Sequence, residues 1–460
     1  MPTPKNPVSF ITTEQADIDL SSHRRPVRNT LLSGLTEDWW AVILGGILIA
    51  CVLGFAFALP AFAFSIPVYQ WANGNDLAAK VLAPGNLLEL LGIGVVFLCV
   101  ASVSVFFSGG RVKNFAKGFA LIFLLGIGSL IVAGNKSIAY YGIEYVVFAL
   151  LAGLLIGNLT TLPPWLKEAA RSEFFIKTGL VILGISILFT DIVQAGLPGL
   201  LQAVVVVAVV WFFSMWLSRS LKVDDEFGVI LASAVSICGV SAAIVAAGAI
   251  QGDKKKLSYV TSLVLLVAIP MLIIQPWLAG KLHLPELVAG AWLGGTLDTT
   301  ASVTAAAQLV GPLALKAGVI VKFSQNVLIG VAAIFIAAWW TLKKQPGRTV
   351  ATEGKGLGII WERFPKFVLG FIAASLVFSF LIPSDTIKQV TPVLNSLRTI
   401  WFALAFVSIG LEARFADLIK IQQGRPAFVF IGAQIFNILW TLLWAYLLFG
   451  GVLIAAPKFG

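Results

Sequence analysis

Long apolar runs constrain this chain more than any other feature of its sequence. Many of them exceed the roughly 18 residues that indicate a membrane-spanning helix. Only 12% of the residues are charged, about half the share found in a soluble domain. Because hydrocarbon offers the backbone no hydrogen-bond partner, spanning segments must be helices or a closed barrel, and apolar runs that are continuous rather than alternating favour helices. The sequence therefore predicts an all-α polytopic membrane protein. The location we expect for it is a plasma membrane (a bacterial inner membrane).

The charged residues predict an orientation in that membrane. The net charge of +10 would suit a nucleic-acid partner in a soluble protein, but here Lys and Arg cluster in predicted loops, as the positive-inside rule requires. The polar stretch 1–38, with Arg24, Arg25 and Arg28, is predicted to be a cytoplasmic segment. The apolar run from Trp39 fits a retained helix better than a cleaved signal peptide. The three cysteines and two histidines are too scattered for a disulfide framework or a metal site.

Two apolar segments conflict with this orientation. If 227–250 and 285–309 crossed the membrane, the basic loops QGDKKKLS and TLKKQPGR would lie outside. Both violations vanish if the two segments enter and return, one from each face; discontinuous spanning helices are the alternative. The sequence then predicts about 11 spanning helices plus two broken or re-entrant helices. The predicted apolar segments are 39–64, 83–108, 117–133, 138–158, 176–193, 195–217, 227–250, 257–279, 285–309, 316–340, 364–383, 393–411 and 425–452.

Two internal similarities indicate inverted repeats. GISILFTDI at 184–192 and GLEARFADL at 410–418 share Gly, Phe and Asp at equal spacing. Each of the two conflicting segments also ends in a small-residue arm, which a basic residue and a long apolar helix follow. The topology derived from charge makes the members of each pair run in opposite directions, as inverted repeats require.

Polar and small residues lie where the two conflicting segments must turn. Half-helices that meet tip to tip would present unpaired N–H groups and positive dipole ends at the bilayer midplane, which suits an anion. Ser and Thr hydroxyls in membrane helices also bond back to the backbone or pack between helices, which is the competing interpretation. The predicted substrate-binding residues are Ser236, Cys238, Gly239 and Ser241 in the first segment and Thr296, Thr299 and Thr300 in the second, where Gly294 and Gly295 are expected to break the helix.

Asp298 is the predicted ion-coupling residue. A carboxylate inside an apolar segment costs several kcal/mol unless it is paired, hydrated or protonated. It could carry a proton, or it could hold Na⁺ together with Thr oxygens and backbone carbonyls. The alternative is that Asp298 only caps the second arm of its segment.

Lys322 is also assigned to the predicted site, because it lies about two turns inside the following helix. It could neutralise Asp298 or attract an anionic substrate, and snorkelling to the membrane surface is the alternative. Glu89 and Glu144 rank lower, since they are expected in continuous helices. The charged residues Asp191, Glu412, Arg414 and Asp417 are expected at helix ends, where solvated charges are ordinary.

Four motifs give the chain a family resemblance. SICGVSAAIVAA, GGTLDTTASVTAAA, VIVKFSQNVLIGV and FVSIGLEARFADL occur in the order seen in the YeiH-type sulfate exporter family, which the chain resembles over 140–452. That family is similar to the group that contains bile-acid symporters and sodium–proton antiporters, whose crossing helices are broken at mid-membrane. The resemblance implies a secondary transporter with inverted repeats that moves a small anion, sulfate or an organosulfonate. Many members carry a His-Glu pair where this chain has Leu297-Asp298 or Asp298-Thr299, which puts coupling through a histidine in doubt.

The resemblance also divides the chain. Residues 39–135 exceed the usual family core and are predicted to be accessory transmembrane helices that could serve a homodimer interface. Residues 136–460 are predicted to form the transporter core, with inverted repeats as in bile-acid symporter-like transporters.

The leading hypothesis is an ion-coupled secondary transporter that works by alternating access, with H⁺ or Na⁺ as the coupling ion and no other cofactor. A passive anion channel would need the same site without a coupling group. A sodium- or proton-coupled transporter of an organic carboxylate is the other alternative. No Walker loop, Ser-His-Asp set or metalloprotease motif is visible in the sequence, so neither ATP-driven transport nor an enzyme is expected.

Overall fold

The computed structural model describes residues 35–59, 64–140, 144–344, 361, 364–413 and 424–459. Within these ranges the chain is helical and contains no β-strand. Eight of the described helices are long and apolar enough to cross a membrane. The predicted all-α membrane class is therefore confirmed, whereas the count of about 11 spanning helices stays a prediction. Most of the predicted cytoplasmic segment 1–38 lies outside the described residues.

The longer helices are numbered in chain order. They are α1 (Glu37–Ala58), α2 (Pro84–Phe107), α3 (Val112–Ala133), α4 (Tyr145–Leu159), α5 (Ser172–Leu183), α6 (Phe189–Ser220), α7 (Asp225–Ser233), α8 (Val240–Ile250), α9 (Lys254–Lys281), α10 (Glu286–Thr296), α11 (Thr300–Val310), α12 (Pro312–Lys344), α13 (Phe367–Phe380), α14 (Ser384–Glu412) and α15 (Gly424–Phe449). Short helical pieces at Gly74–Asp76, Leu77–Val81, Lys136–Tyr140 and Pro164–Ala169 lie in the connections.

The helices pack as two bundles. The first bundle consists of α1 to α5 with α13 and α14, and the second of α6 to α12 with α15. The predicted accessory helix α1 packs on α5 and α14, and the predicted accessory helix α3 packs on α4 and α14. Their apolar side chains share one continuous core with α4, α5, α13 and α14. Helix α11 packs against α5, α4 and α14, so it lies where the two bundles meet.

The connection between the bundles differs from the prediction. The sequence placed a boundary between segments 176–193 and 195–217, but α5 ends at Leu183 and α6 begins at Phe189. Serine side chains of α13 satisfy the backbone at this break: the Ser375 hydroxyl donates to the Ile187 carbonyl, and the Phe189 N–H donates to Ser379 Oγ. These distant partners stabilise a break that local sequence does not reveal.

Helices α7 and α8 form a re-entrant hairpin, here called hairpin 1. A π-helical turn, Ala234–Cys238, and Gly239 join the two arms. At the base, Lys256 Nζ lies 2.8 Å from both Asp224 Oδ1 and Glu226 Oε2, and the Asp253 N–H donates to Glu226. The chain therefore leaves the hairpin on the side where it entered.

Helices α10 and α11 form the second re-entrant hairpin, hairpin 2. The two ends of hairpin 2 lie next to each other, because the Leu313 N–H donates to Glu286 Oε2 at 3.0 Å. Because the single long helix α9 connects the two hairpins, they enter from opposite faces. The geometry thus selects re-entrant elements over discontinuous spanning helices.

The predicted breaking pair in hairpin 2 is wrong. Helix α10 continues through Gly294 and Gly295 to Thr296, and the interruption falls at Leu297–Thr299. The two glycines serve close packing instead, since a Cβ at Gly294 would lie 2.5 Å from the Gly318 carbonyl oxygen. The predicted inverted repeat stays a prediction, because its second copy at 410–418 extends into 414–423, outside the described residues.

Candidate functional site

The tips of the two hairpins touch each other. Gly239 has a φ of +63°, a conformation that side-chain-bearing residues rarely adopt. A Cβ at this position would lie 2.7 Å from Val264 Cγ1 and 2.9 Å from Asp298 Cβ. Glycine therefore permits both the turn of hairpin 1 and the approach of the Asp298 backbone from hairpin 2.

Lys322 of α12 joins the two tips. Its side chain is fully buried, at 0% exposure. Nζ donates to the Ile237 carbonyl of hairpin 1, the Leu297 carbonyl of hairpin 2 and Gln325 Oε1, each at 2.8 Å. The ammonium group has three protons, and each has an acceptor. Snorkelling is therefore wrong for this lysine.

Amide side chains satisfy the other carbonyls of the tips. Gln325 Nε2 donates to the Ser236 carbonyl at 2.9 Å and to the Gly295 carbonyl at 3.2 Å. From α15, Gln434 Nε2 donates to the Thr296 carbonyl at 2.9 Å, and Asn437 Nδ2 donates to the Val235 carbonyl at 3.2 Å. The sequence analysis missed Gln434 and Asn437, although two amides inside the apolar run GAQIFNILW were a signal.

The predicted residues of hairpin 1 have different environments. Ser236 is buried, and its Oγ has no hydrogen-bond partner among the described residues. Cys238 is buried beside it, whereas Ser241 is on the exposed side of α8. Gly239 is the N-cap of α8 and has no side chain that could accept from the first turn. Hairpin 1 thus offers an unpaired hydroxyl and a helix N-terminus close to Lys322.

The predicted threonines of hairpin 2 already have structural partners. The Thr296 hydroxyl donates to the Trp292 carbonyl at 2.7 Å and lies 3.0 Å from Gln275 Nε2. Thr299 is the N-cap of α11, where its Oγ1 accepts from the Ser302 N–H at 3.0 Å. Thr300 Oγ1 accepts from Asn326 Nδ2 at 3.3 Å.

Asp298 lies between these threonines without a partner. The residue is 2% exposed, and its Oδ2 has no hydrogen bond among the described residues. Since Thr299 provides the N-cap, Asp298 does not cap α11. Lys322 is within electrostatic range, but its protons go to the three acceptors above rather than to an ion pair with Asp298. A buried carboxylate in this position can take up a proton or a small cation.

The remaining acidic residues lie away from the tips. Asp191 was expected to be a solvated helix end, but it is buried and lies 3.4 Å from Lys316 Nζ. Glu144 was expected inside a helix, but it is the N-cap of α4 and accepts from Gln308 Nε2 of hairpin 2 at 3.3 Å. Glu89 accepts from Ser65 at 2.7 Å. Of the charged residues expected at helix ends, Arg414 and Asp417 lie outside the described residues.

Charged side chains form ion pairs at the base of hairpin 1. Partial burial by itself would raise the pKa of Asp224, but hydrogen bonds from Lys256 and from the Phe227 N–H outweigh it and hold that pKa below its usual value. A group with a lowered pKa stabilises the fold above its ordinary pKa, and this stabilisation is lost as pH falls through the lower value. The Asp224–Lys256 pair is therefore intact at neutral pH. Within the described residues, no three acidic, His or Cys side chains group as a metal site.

A family profile and two membrane proteins are similar to this chain. A family profile described as "Conserved hypothetical protein 698" matches residues 117–429. The chain is 37% identical over 370 residues to the UPF0324 membrane protein RB9488 of Rhodopirellula baltica, with 78% of this chain and 68% of the relative covered. It is 34% identical over 374 residues to a UPF0324 membrane protein of Nitratidesulfovibrio vulgaris, covering 78% of this chain and 63% of that relative.

A solved structure is also similar to the chain. The sodium proton antiporter MjNhaP1 from Methanocaldococcus jannaschii is 14% identical, with 73% of this chain and 99% of that chain covered. The TM-score of 0.18 is too low to support a statement about fold or function.

Proposed function

This chain belongs to the UPF0324 membrane-protein family, and from that premise we propose that it is an ion-coupled secondary transporter of a small anion, sulfate or an organosulfonate, that works by alternating access. The YeiH-type resemblance of the sequence is confirmed, because that group is this family. In this proposal the chain is a transporter and not an enzyme.

One observation carries the proposal. The ammonium group of Lys322 donates at 2.8 Å to a carbonyl of each hairpin tip, so two elements that enter from opposite faces share one buried cation. If each hairpin stops at mid-membrane, only half of the bilayer thickness separates the tips from the solution on either face. Irregular backbone at membrane depth occurs where protein or water surrounds it, and transporters place their sites at such interruptions.

The charges at the tips favour an anion as substrate. The first turn of α8 follows Gly239, which cannot cap it with a side chain, so N–H groups and the positive end of a helix dipole point towards the tips. Lys322 adds a full positive charge there. The unpaired hydroxyl of Ser236 adds a hydrogen-bond donor. We assign the anion to this surface.

Asp298 supplies the coupling step in this proposal. A buried carboxylate without a partner is stable only when a proton or a cation neutralises it. Uptake of H⁺ or Na⁺ by Asp298 leaves the positive charge of Lys322 uncompensated, which favours binding of the anion. Release of either ion weakens the binding of the other, so the two move together.

The experiment compares wild type with Asp298→Asn in proteoliposomes. Flux of labelled sulfate and of labelled methanesulfonate is measured with imposed proton or sodium gradients. We expect wild-type flux to follow one gradient and the variant to lose that dependence, with coupled uptake reduced at least about tenfold. Asp385→Asn is the matched control, because that side chain is 98% exposed at the start of α14, and it should behave as wild type.

Other results would contradict the proposal in different ways. Flux in the wild type that ignores both gradients would indicate a passive anion channel. Coupled flux that persists in Asp298→Asn would remove Asp298 from the mechanism. Absence of flux for both anions under every gradient would exclude this substrate class and would favour an organic carboxylate.

A further inference from the structure

A second positively charged side chain, that of Arg398, lies within a candidate membrane-spanning helix. Neither the site at the hairpin tips nor the family comparisons explain it. Arg398 is at the midpoint of α14, in the first bundle, and is half-buried. Its Nε is a buried donor that has no hydrogen-bond partner among the residues that the structure describes, and its Cζ lies 5.9 Å from the centre of the Phe402 ring. No ion pair to a described acidic residue involves this guanidinium. Placing an arginine at this depth costs several kcal/mol, so an unpaired one indicates a functional role.

Arg398 belongs to a polar stripe on α14. Thr391, Asn395 and Arg398 are spaced four and three residues apart, so they share one face of the helix. The Thr391 hydroxyl is also buried and has no partner in the described part of the chain, and Asn395 Oδ1 accepts from the Ser186 hydroxyl at 2.8 Å. Ser186 lies at the break between α5 and α6. The stripe is rich in hydrogen-bond donors and contains no carboxylate.

The stripe lies near the contact between the first bundle and hairpin 2. Arg398 lies within electrostatic range of Tyr145. Tyr145 follows Glu144, which accepts a hydrogen bond from Gln308 of α11. Helix α14 also packs directly against α11. An open cleft of about 650 Å³ is lined by Glu144 and Tyr145. The cleft therefore opens beside the two residues that link the stripe to hairpin 2.

We propose that Arg398, with Thr391 and Asn395, forms an oxyanion subsite on the wall of the first bundle that faces hairpin 2. The inference rests on the proposed function, because it assigns a second contact for the same class of substrate. The planar guanidinium offers parallel N–H donors that match two oxygens of a sulfate or sulfonate group. The threonine hydroxyl and the asparagine amide can donate to the remaining oxygens. The subsite holds the anion before it reaches the tips.

Glu144 provides the competing account of Arg398. Both residues flank Tyr145, so a water-mediated ion pair between them would neutralise the guanidinium without any substrate. In that case an added oxyanion would leave the reactivity of Arg398 unchanged. The two accounts therefore differ in one measurable property, the protection of Arg398 by anions.

The test is arginine modification of the full chain in detergent. Phenylglyoxal is applied with and without saturating sulfate or methanesulfonate, and modified arginines are identified by mass spectrometry. We expect either anion to slow modification of Arg398 at least fivefold, whereas chloride at equal ionic strength does not. Arg219 is the internal control, because it is 45% exposed and paired with Asp225 in the second bundle, and its modification should not respond to the anions.

A flux measurement complements the modification. Arg398→Lys keeps the charge but loses the paired donors, and we expect the half-saturating sulfate concentration to rise about tenfold with little change in maximal rate. Lys388→Ala, which removes a lysine that is 78% exposed on the same helix, should leave both values unchanged. An equal half-saturating concentration in Arg398→Lys and wild type would count against the subsite.

The outcomes separate this inference from the proposed function. If Arg398 is unmodified, or is modified equally with and without anions, the subsite is overturned even where coupled flux persists. If anions protect Arg398 in both wild type and Asp298→Asn while the variant keeps its coupling, the subsite stands and the proposed role of Asp298 fails.

Discussion

At the residue scale, the most constrained side chain is that of Lys322. Replacement by methionine keeps an unbranched side chain, one heavy atom shorter, but removes three hydrogen bonds, two of them to carbonyls of the hairpin tips. A buried hydrogen bond to a charged group contributes about 1.5–3 kcal/mol, and an acceptor left unpaired costs a similar amount. We expect Lys322→Met to lower the free energy of unfolding by about 2–4 kcal/mol and to abolish stabilisation by sulfate, both measured by thermal unfolding in detergent.

The control for this prediction is Lys113→Ala, which removes an exposed lysine near the start of α3. It should unfold as wild type does and should still be stabilised by sulfate. A Lys322→Met protein that retains the full sulfate effect would show that the anion binds without Lys322. Reduced stability with unchanged sulfate stabilisation would limit Lys322 to a structural role.

Sequence reasoning found the two buried charges at the hairpin tips but not the groups that surround them. Asp298 and Lys322 stand out because a charge in an apolar run is costly wherever it lies. The three acceptors of Lys322 could not be inferred, since they are carbonyls of hairpins 85 and 25 residues away and one side chain three residues away. The role of Arg398 was missed because its surroundings come from residues far along the chain, such as Ser186 and Tyr145.

At the element scale, hairpin 1 depends on Gly239. Gly239→Ala would combine an unfavourable positive φ of 63° with a Cβ 2.7 Å from Val264 and 2.9 Å from Asp298. Because the Val264 side chain and Asp298 Cβ already occupy that space, the tips must separate. Strain of this kind costs about 1–3 kcal/mol, and we expect sulfate flux to fall at least about tenfold while the protein still purifies as a folded species with wild-type helix content.

Gly248→Ala is the matched control within the same hairpin. Gly248 is inside α8, and nothing lies within 4 Å of a Cβ built there. Alanine in a helix is favoured over glycine by roughly 0.5–1 kcal/mol, so this variant should be at least as stable as wild type and equally active. Equal activity of both variants would show that the contact between the tips is not needed for transport.

The hairpins also show which elements a sequence can predict. The positions of basic loops indicated two interrupted segments, because the positive-inside rule acts on long stretches of chain. They left re-entrant hairpins and broken spanning helices as alternatives. The place of the break in hairpin 2 did not follow from Gly294 and Gly295, since a helix retains glycines when neighbouring backbone must approach closely. The break between α5 and α6 depends on Ser375 and Ser379 of α13, about 190 residues along the chain from their partners.

At the scale of the whole molecule, alternating access requires the two bundles to move relative to each other. The hydrogen bond from Gln308 of α11 to Glu144 of α4 crosses between them at 3.3 Å. A covalent link at this point would hold hairpin 2 against the first bundle. A link inside one bundle would not affect the motion of the two bundles relative to each other. The control is therefore a link at the base of hairpin 1, where Lys256 Nζ lies 2.8 Å from Asp224 Oδ1.

The last prediction concerns this link. The test uses Glu144→Cys with Gln308→Cys, in a background where the exposed Cys51 and Cys99 are replaced by serine. We expect a short bis-methanethiosulfonate, which links the two thiols through disulfides, to remove at least about 90% of sulfate flux, and reduction of those disulfides to restore it. Asp224→Cys with Lys256→Cys, treated identically, should retain its flux, because that link joins residues of the second bundle only. Full flux through the linked Glu144–Gln308 pair would mean that the anion crosses without relative movement of the bundles, as it would in a channel.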